Sequence, residues 1–133
     1  MLEGSCLCGA VRYRIDGELG PIVCCHCSMC RKAQGSAFAA NAPVPAAAFR
    51  IVRGDGALRA YRSSPGKERV FCGTCGSPIY SRREGAADVR VRIGTLDTPI
   101  AARPSAHIHV ASKADWWEIA DALPRHPALE PDR

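Results

Sequence analysis

The spacing of eight cysteines constrains this 133-residue chain more than any other feature. Cys6-Leu7-Cys8 and Cys72-Gly73-Thr74-Cys75 are short pairs far apart in the chain, while Cys25-His26-Cys27-Ser28-Met29-Cys30 gathers three more. Thiols this close in sequence make poor long-range staples. They do match the spacing at which one tight turn presents two thiolates to a single metal ion. Met1-Leu2-Glu3-Gly4-Ser5 has neither the basic nor the apolar region of a secretory signal, so a reducing cytoplasm is expected. The reading is therefore metal, and zinc in particular. Structural zinc is closed by four protein ligands, whereas catalytic zinc keeps one position free. The simplest accounting is two ions: Cys6, Cys8, Cys72 and Cys75 close one site, and Cys25, Cys27 and Cys30 leave the other open.

Each of the two separated pairs is followed by glycine, Gly9 and Gly76. Glycine takes positive φ and lets backbone N–H groups turn toward the sulfurs. A zinc held by both pairs would tie the N-terminal strand to the middle of the chain and contribute folding free energy directly. The middle cluster has two readings. It is either an open three-cysteine zinc site or a second structural site completed by Cys24 or His26. Cys24 and His26 are immediate neighbours of ligands, and adjacent residues on an extended backbone point to opposite faces. That geometry favours the open site and makes Cys24 a small core residue. Three thiolates leave the ion a weak Lewis acid, better suited to holding a soft thiol than to polarising a carbonyl. Arg31 and Lys32 follow the cluster, either offsetting its charge or lying on the solvated face of a short helix.

The net charge is +5, and 15 of the 18 basic residues are arginine. Those arginines are interspersed with acids and form no basic run, and aromatics are only 6% of the chain. A nucleic-acid interface is therefore disfavoured, while small anions remain suitable partners. No apolar run reaches the ~20 residues needed to cross a membrane.

Periodicity predicts short strands at Val11–Ile15, Phe49–Arg53, Leu58–Ser63, Arg69–Phe71, Ile79–Ser81, Val89–Ile93 and His107–Val110. Gly54-Asp55-Gly56 signals a hairpin between the second and third of these. A short helical turn is expected from Ser28 to Ala33. A longer helix is expected from Lys113 to Leu123, capped by Ser112 and stopped by Pro124. One Trp of the Trp116-Trp117 pair should then pack beside Ile119 and Leu123. His107 and His109 should share one strand face, as a relay or ligand pair or simply as a half-exposed sheet surface. Phe38 and Asn41 are placed to line a pocket, and Tyr13, Tyr61 and Tyr80 to pack on sheet faces. The expectation is one mainly β domain over residues 1–124 with a surface tail over 125–133.

Taken together, Gly4-Ser5-Cys6-Leu7-Cys8-Gly9-Ala10-Val11, Cys25-His26-Cys27-Ser28-Met29-Cys30-Arg31-Lys32 and Phe71-Cys72-Gly73-Thr74-Cys75-Gly76 resemble the glutathione-dependent formaldehyde-activating enzyme family, whose domain is shared with centromere protein V. The ending from His107-Ile108 through Ser112-Lys113 and Trp116 to Asp121-Ala122-Leu123-Pro124 fits the same pattern. The resemblance implies a β-tent, an arrangement of small antiparallel sheets clamped by zinc. It implies structural zinc on Cys6, Cys8, Cys72 and Cys75, and a second, catalytic zinc on Cys25, Cys27 and Cys30. The implied activity is that of a carbon–sulfur lyase that joins glutathione or a similar thiol to a small aldehyde such as formaldehyde, giving an S-hydroxymethyl adduct. The other reading is a non-catalytic zinc module that binds protein or nucleic acid.

Overall fold

In the computed structural model, which describes residues 1–133, the chain is mainly β. Ten strands form two sheets. The small sheet runs β1 (Leu2–Ser5), β2 (Arg12–Ile15), β5 (Phe49–Arg53), all antiparallel. The large sheet has the order β10 (Pro104–Ile108), β3 (Ile22–Cys25), β4 (Ala39–Pro45), β9 (Asp88–Arg92), β8 (Pro78–Arg83), β7 (Lys67–Cys72), β6 (Leu58–Ser64). Its neighbours are antiparallel except for β10, which runs parallel to β3. One helix, α1 (Ser28–Gln34), follows β3 and is closed by Gly35 in the left-handed region. No helix is long and apolar enough to cross a membrane.

The core lies between the sheets. Tyr13 and Ile15 of β2 meet Val44 of β4, Val89 and Val91 of β9, and Ile79 of β8. The core also takes in Cys6 and Cys72, so the two separated cysteine pairs sit where the sheets join. Strand alternation decides what faces the other way. Val89 and Val91 point into this core, while half-buried Arg90 and buried Arg92 lie on the opposite side of the large sheet.

Three expectations from the sequence are corrected. First, β5 and β6 are not a hairpin: β5 pairs with β2 and β6 with β7. Gly54 (φ 80°) and a 3-10 turn at Asp55–Ala57 carry the chain from one sheet to the other. A Cβ on Gly54 would lie 1.9 Å from the Ala10 carbonyl oxygen. Gly54→Ala is therefore expected to cost more than about 2 kcal/mol. Thermal unfolding should show Tm falling by on the order of 8 °C.

Second, the helix from Lys113 to Leu123 does not form. After a 3-10 turn at Val110–Ser112, Lys113 leaves helical geometry at ψ 142°. The local polar groups are satisfied otherwise. The Lys113 ammonium donates to the Ala114 and Trp117 carbonyls, and Asp121 is drawn to His107 and to the Leu123 N–H. Helix propensity is a weak preference that such tertiary partners override. With no helix, neither Trp packs in the core: Trp116 is 67% exposed, and Trp117 rests edge-on against Phe38 at 6.2 Å.

Third, β10 ends at Ile108, and His109 turns into the left-handed region (φ 54°). His107 and His109 therefore do not share a face. Beyond Pro124 the chain runs along the outside of this corner. His107 N–H donates to Pro124 O, His126 N–H to His107 O, and His109 N–H to Ala128 O. Of the three tyrosines, Tyr13 is buried and Tyr80 half-buried, but Tyr61 is exposed.

Candidate functional site

The first cysteine group is built by two turns. Cys6 and Cys8 lie between β1 and β2, while Cys72 ends β7 and Cys75 lies in the turn to β8. Gly9 (φ 78°) and Gly76 (φ 81°) close the turns, as their positions after each pair predict. The Val11 N–H donates to Cys6 Sγ at 3.2 Å, and Gly76 N–H donates to Cys72 O at 2.7 Å. Ser77 Oγ accepts from Leu7 N–H at 2.9 Å, linking one turn to the other. All four sulfurs lie within 4.8 Å of one another, with Cys6–Cys8 at 3.6 Å and Cys8–Cys72 at 3.9 Å. Hydrogen bonding by the Ser77 hydroxyl and backbone pulls the Cys75 thiol down to about 5. Four sulfurs brought this close can hold a metal ion.

The second group is built by a strand end and a helix start. Cys25 ends β3, Cys27 caps α1, and Cys30 lies in its first turn. The Cys30 N–H donates to Cys27 Sγ at 3.3 Å. The three sulfurs lie within 4.8 Å of one another, and Cys27 is the least buried of them. Neither sequence candidate for a fourth ligand joins them. Cys24 is buried apart, its thiol pushed up to about 11 by desolvation. His26 is wholly buried and gives Nε2 to His107 Nδ1 at 2.8 Å. The three thiols share protons unequally. Hydrogen bonding from the Cys25 and Cys27 sulfurs, aided by Arg69, holds Cys30 far below the usual thiol range. Hydrogen bonding to Cys27 and Cys30 pushes Cys25 up.

The three-cysteine group opens onto a cavity of about 510 Å³. Seven lysine and arginine side chains line it, against one carboxylate, Asp88. Arg69 of β7, 9% exposed, donates from both terminal nitrogens toward Cys30 Sγ (3.6 and 3.7 Å) and from Nε to Ser63 Oγ (3.0 Å). Arg92 of β9 is 3% exposed, and its principal nearby counter-charge is the cysteine group. A buried cation needs a compensating anion. Arg69 and Arg92 have no carboxylate within salt-bridge range, so the negative charge of the cysteine group, centred on Cys30, is what faces them. Burial also lowers the Lys67 and Arg90 pKa values. Two of the wall arginines have carboxylate partners: Glu68 engages Arg82 at 2.9 Å, and Glu130 lies 4.0 Å from Arg90.

Asn41 lines this cavity, as its position after the cluster suggested. Phe38 does not: it packs against the His26 ring at 5.3 Å. Arg31 and Lys32 are also outside the lining, which leaves them the plainer role of helix surface. Sequence reasoning missed Arg69, Arg90, Arg92 and Lys67. The available signal was alternation: Val89-Arg90-Val91-Arg92 reads as a half-solvated strand, yet its basic face is the wall of a cavity. Asp121 was given no role either, since it fell inside the expected helix from Lys113 to Leu123. It accepts instead from His107 Nε2 at 2.9 Å.

The family model described as "Glutathione-dependent formaldehyde-activating enzyme" matches residues 1–112, a span that contains both cysteine groups and the arginine wall. A protein of Halomonas elongata named "Putative glutathione-dependent formaldehyde-activating enzyme" is 34% identical over 129 residues, covering 90% of this chain and 81% of that one. An uncharacterized lyase of Schizosaccharomyces pombe is 35% identical over 78 residues, 59% of this chain and 55% of its own. A crystal structure of a Rhodobacter sphaeroides protein superposes with a TM-score of 0.63 at 27% identity, covering 74% of this chain and 91% of that one. With a family match across most of its length and the paired cysteine groups that the fold brings together, the chain belongs to the glutathione-dependent formaldehyde-activating enzyme family.

Proposed function

We propose that the protein is a zinc-dependent enzyme of the carbon–sulfur lyase type, joining glutathione or a similar thiol to a small aldehyde. The observation that carries this is the three-sulfur corner on the wall of a cation-lined cavity. A tetrahedron with metal–sulfur bonds of ~2.3 Å has edges of about 3.8 Å. The Cys6–Cys8 and Cys8–Cys72 separations of 3.6 and 3.9 Å fit it. Cys6, Cys8, Cys72 and Cys75 would hold a structural zinc, and Cys25, Cys27 and Cys30 a second zinc with one position free. When bound, that second ion supplies a seat for a thiolate.

The protein's own residues then do three things. Cys27, the most open of the three, sets the edge at which a thiol arrives. Arg69 neutralises charge on Cys30 and prevents the corner from repelling an incoming thiolate. Arg90, Arg92 and Lys67 offer guanidinium and ammonium groups to the two carboxylates of glutathione, arginine gripping carboxylates bidentately. The sulfur attacks the aldehyde carbon, a carbon–sulfur bond forms, and the thiol's proton ends on the new hydroxyl. No oxidant or reductant is consumed. Glutathione adds to formaldehyde unaided, so the gain comes from holding both reactants in one cavity. A reducing cytoplasm suits eight free thiols.

Calorimetric titration of glutathione into reduced, zinc-loaded protein tests this, with Cys27→Ser as control. Saturable binding that weakens at least tenfold in the variant is the expected result. Equal binding by both proteins would remove the three-cysteine corner as the thiol's seat. No binding by either would remove glutathione as the substrate and leave a non-catalytic zinc module as the better reading.

A further inference from the structure

His26 sits between Cys25 and Cys27, yet neither ring nitrogen joins the sulfur group. Its Nε2 contacts His107 Nδ1 at 2.8 Å, and His107 Nε2 contacts Asp121 Oδ2 at 2.9 Å and Oδ1 at 3.1 Å. His26 Nδ1 is buried and has no partner. Phe38 packs against both imidazoles and screens the chain from solvent on that side, leaving Asp121 as its half-exposed end.

The hydrogen bonds admit little freedom. A carboxylate only accepts, so His107 Nε2 carries its proton. The contact between the two rings needs one N–H and one lone pair. With His107 neutral, its Nδ1 has the lone pair and His26 Nε2–H donates. His26 Nδ1 is then bare. The alternative is an imidazolium at His107 donating to His26 Nε2. That would put a proton on His26 Nδ1 and bury an N–H with no acceptor, which proteins avoid more strictly than an unfilled lone pair.

We infer that Asp121 and His107 are positioning residues that fix the ring and tautomer of His26, with bare Nδ1, and through it the spacing of Cys25 and Cys27. The His26 N–H is also bonded to Ile108 O at 2.9 Å, so the residue between the two cysteines is held at both backbone and ring. Outer hydrogen bonds of this kind set ligand geometry in metal sites. The consequence for metal affinity rests on reading the three-cysteine corner as a metal site; the tautomer does not.

The test uses Asp121→Asn in the full-length protein. Leu123 N–H already donates to Asp121 Oδ1 at 3.0 Å, which favours the amide oxygen of the variant there and its NH₂ at the Oδ2 position, the nearer of the two to His107 Nε2 at 2.9 Å. An amide so turned reverses every donor in the chain and puts a proton on His26 Nδ1. Ring-nitrogen NMR of ¹⁵N-histidine-labelled wild type should show His26 Nδ1 without a proton and Nε2 with one. In Asp121→Asn the two signals should exchange, and metal affinity at the three-cysteine corner should fall about 10–100-fold. The four-cysteine site, titrated in the same sample, should not change. Asp121→Ala removes the acceptor without supplying a donor and should lose less affinity than Asp121→Asn. A protonated His26 Nδ1 in the wild type, or Asp121→Asn affinity within twofold of wild type, would overturn the inference. A wild type that binds only one metal ion would instead count against the proposed function, with the NMR result standing on its own.

Discussion

Cys72→Ser is expected to leave a protein with no cooperative thermal transition. Cys72 is wholly buried in the core between the two sheets, and its sulfur belongs to the four-cysteine group. A structural zinc site is worth about 10–16 kcal/mol to folding. A domain's entire stability is typically about 5–15 kcal/mol, so losing the site exhausts it. A strong chelator should do the same to the wild type. Near-UV circular dichroism and scanning calorimetry are the measurements. Cys27→Ser is the contrast: it should keep its transition within a few degrees of wild type, because that sulfur lies at a cavity edge rather than between the sheets. If Cys72→Ser unfolded as cooperatively as wild type, the four-cysteine group would not be what joins the sheets.

The second large effect is expected at Arg69. Arg69→Met removes the guanidinium bonded toward Cys30 Sγ and Ser63 Oγ while nearly preserving side-chain volume. A hydrogen bond to a charged group is worth ~1.5–3 kcal/mol, or about 10–100-fold in kcat/KM. The loss should appear mostly in KM for the thiol, since Arg69 faces the corner proposed to seat the thiolate. Tm should move little, because burying Arg69 costs about what its pairing returns. Arg69→Lys should recover only part of the activity, as an ammonium cannot reach serine and sulfur with one planar fork. Steady-state kinetics with glutathione and formaldehyde, above the uncatalysed rate, provide the check. An unchanged KM in Arg69→Met would mean that Arg69 serves only to neutralise Cys30.

Much of this was legible in the sequence, for a physical reason. The grouping of cysteine sulfurs is encoded locally. Gly9 and Gly76 close turns wherever those turns lie in space, and Cys27-Ser28-Met29-Cys30 at a helix start brings two sulfurs together by helical geometry alone. The β-rich class followed from alternating strands such as Arg12–Ile15 and Asp88–Arg92. What was illegible depended on pairing between distant segments. Ile22–Cys25 is buried on both faces and shows no alternation. Ala39–Pro45 contains Pro43, normally a sign against a central strand. It is tolerated because β3 pairs with this strand only as far as Asn41. The Gly54-Asp55-Gly56 signal was read as a hairpin because nothing local shows that β5 has β2 as its partner. The arginine wall was hidden in the same way: alternation tells which residues share a face, and only topology tells whether that face meets water or three thiolates.

We propose one closed cysteine group that holds the fold and one open group that seats a thiol. Cobalt(II) substituted at both sites reports this directly, because each thiolate bound to cobalt adds to the sulfur-to-metal charge-transfer absorption. Two cobalt ions per chain are expected, with a saturable rise in that absorption on adding glutathione, as the open site passes from three sulfurs to four. The rise should vanish in Cys27→Ser, with the four-cysteine spectrum unaltered. A spectrum indifferent to glutathione, or a rise of the same size in Cys27→Ser, would contradict it.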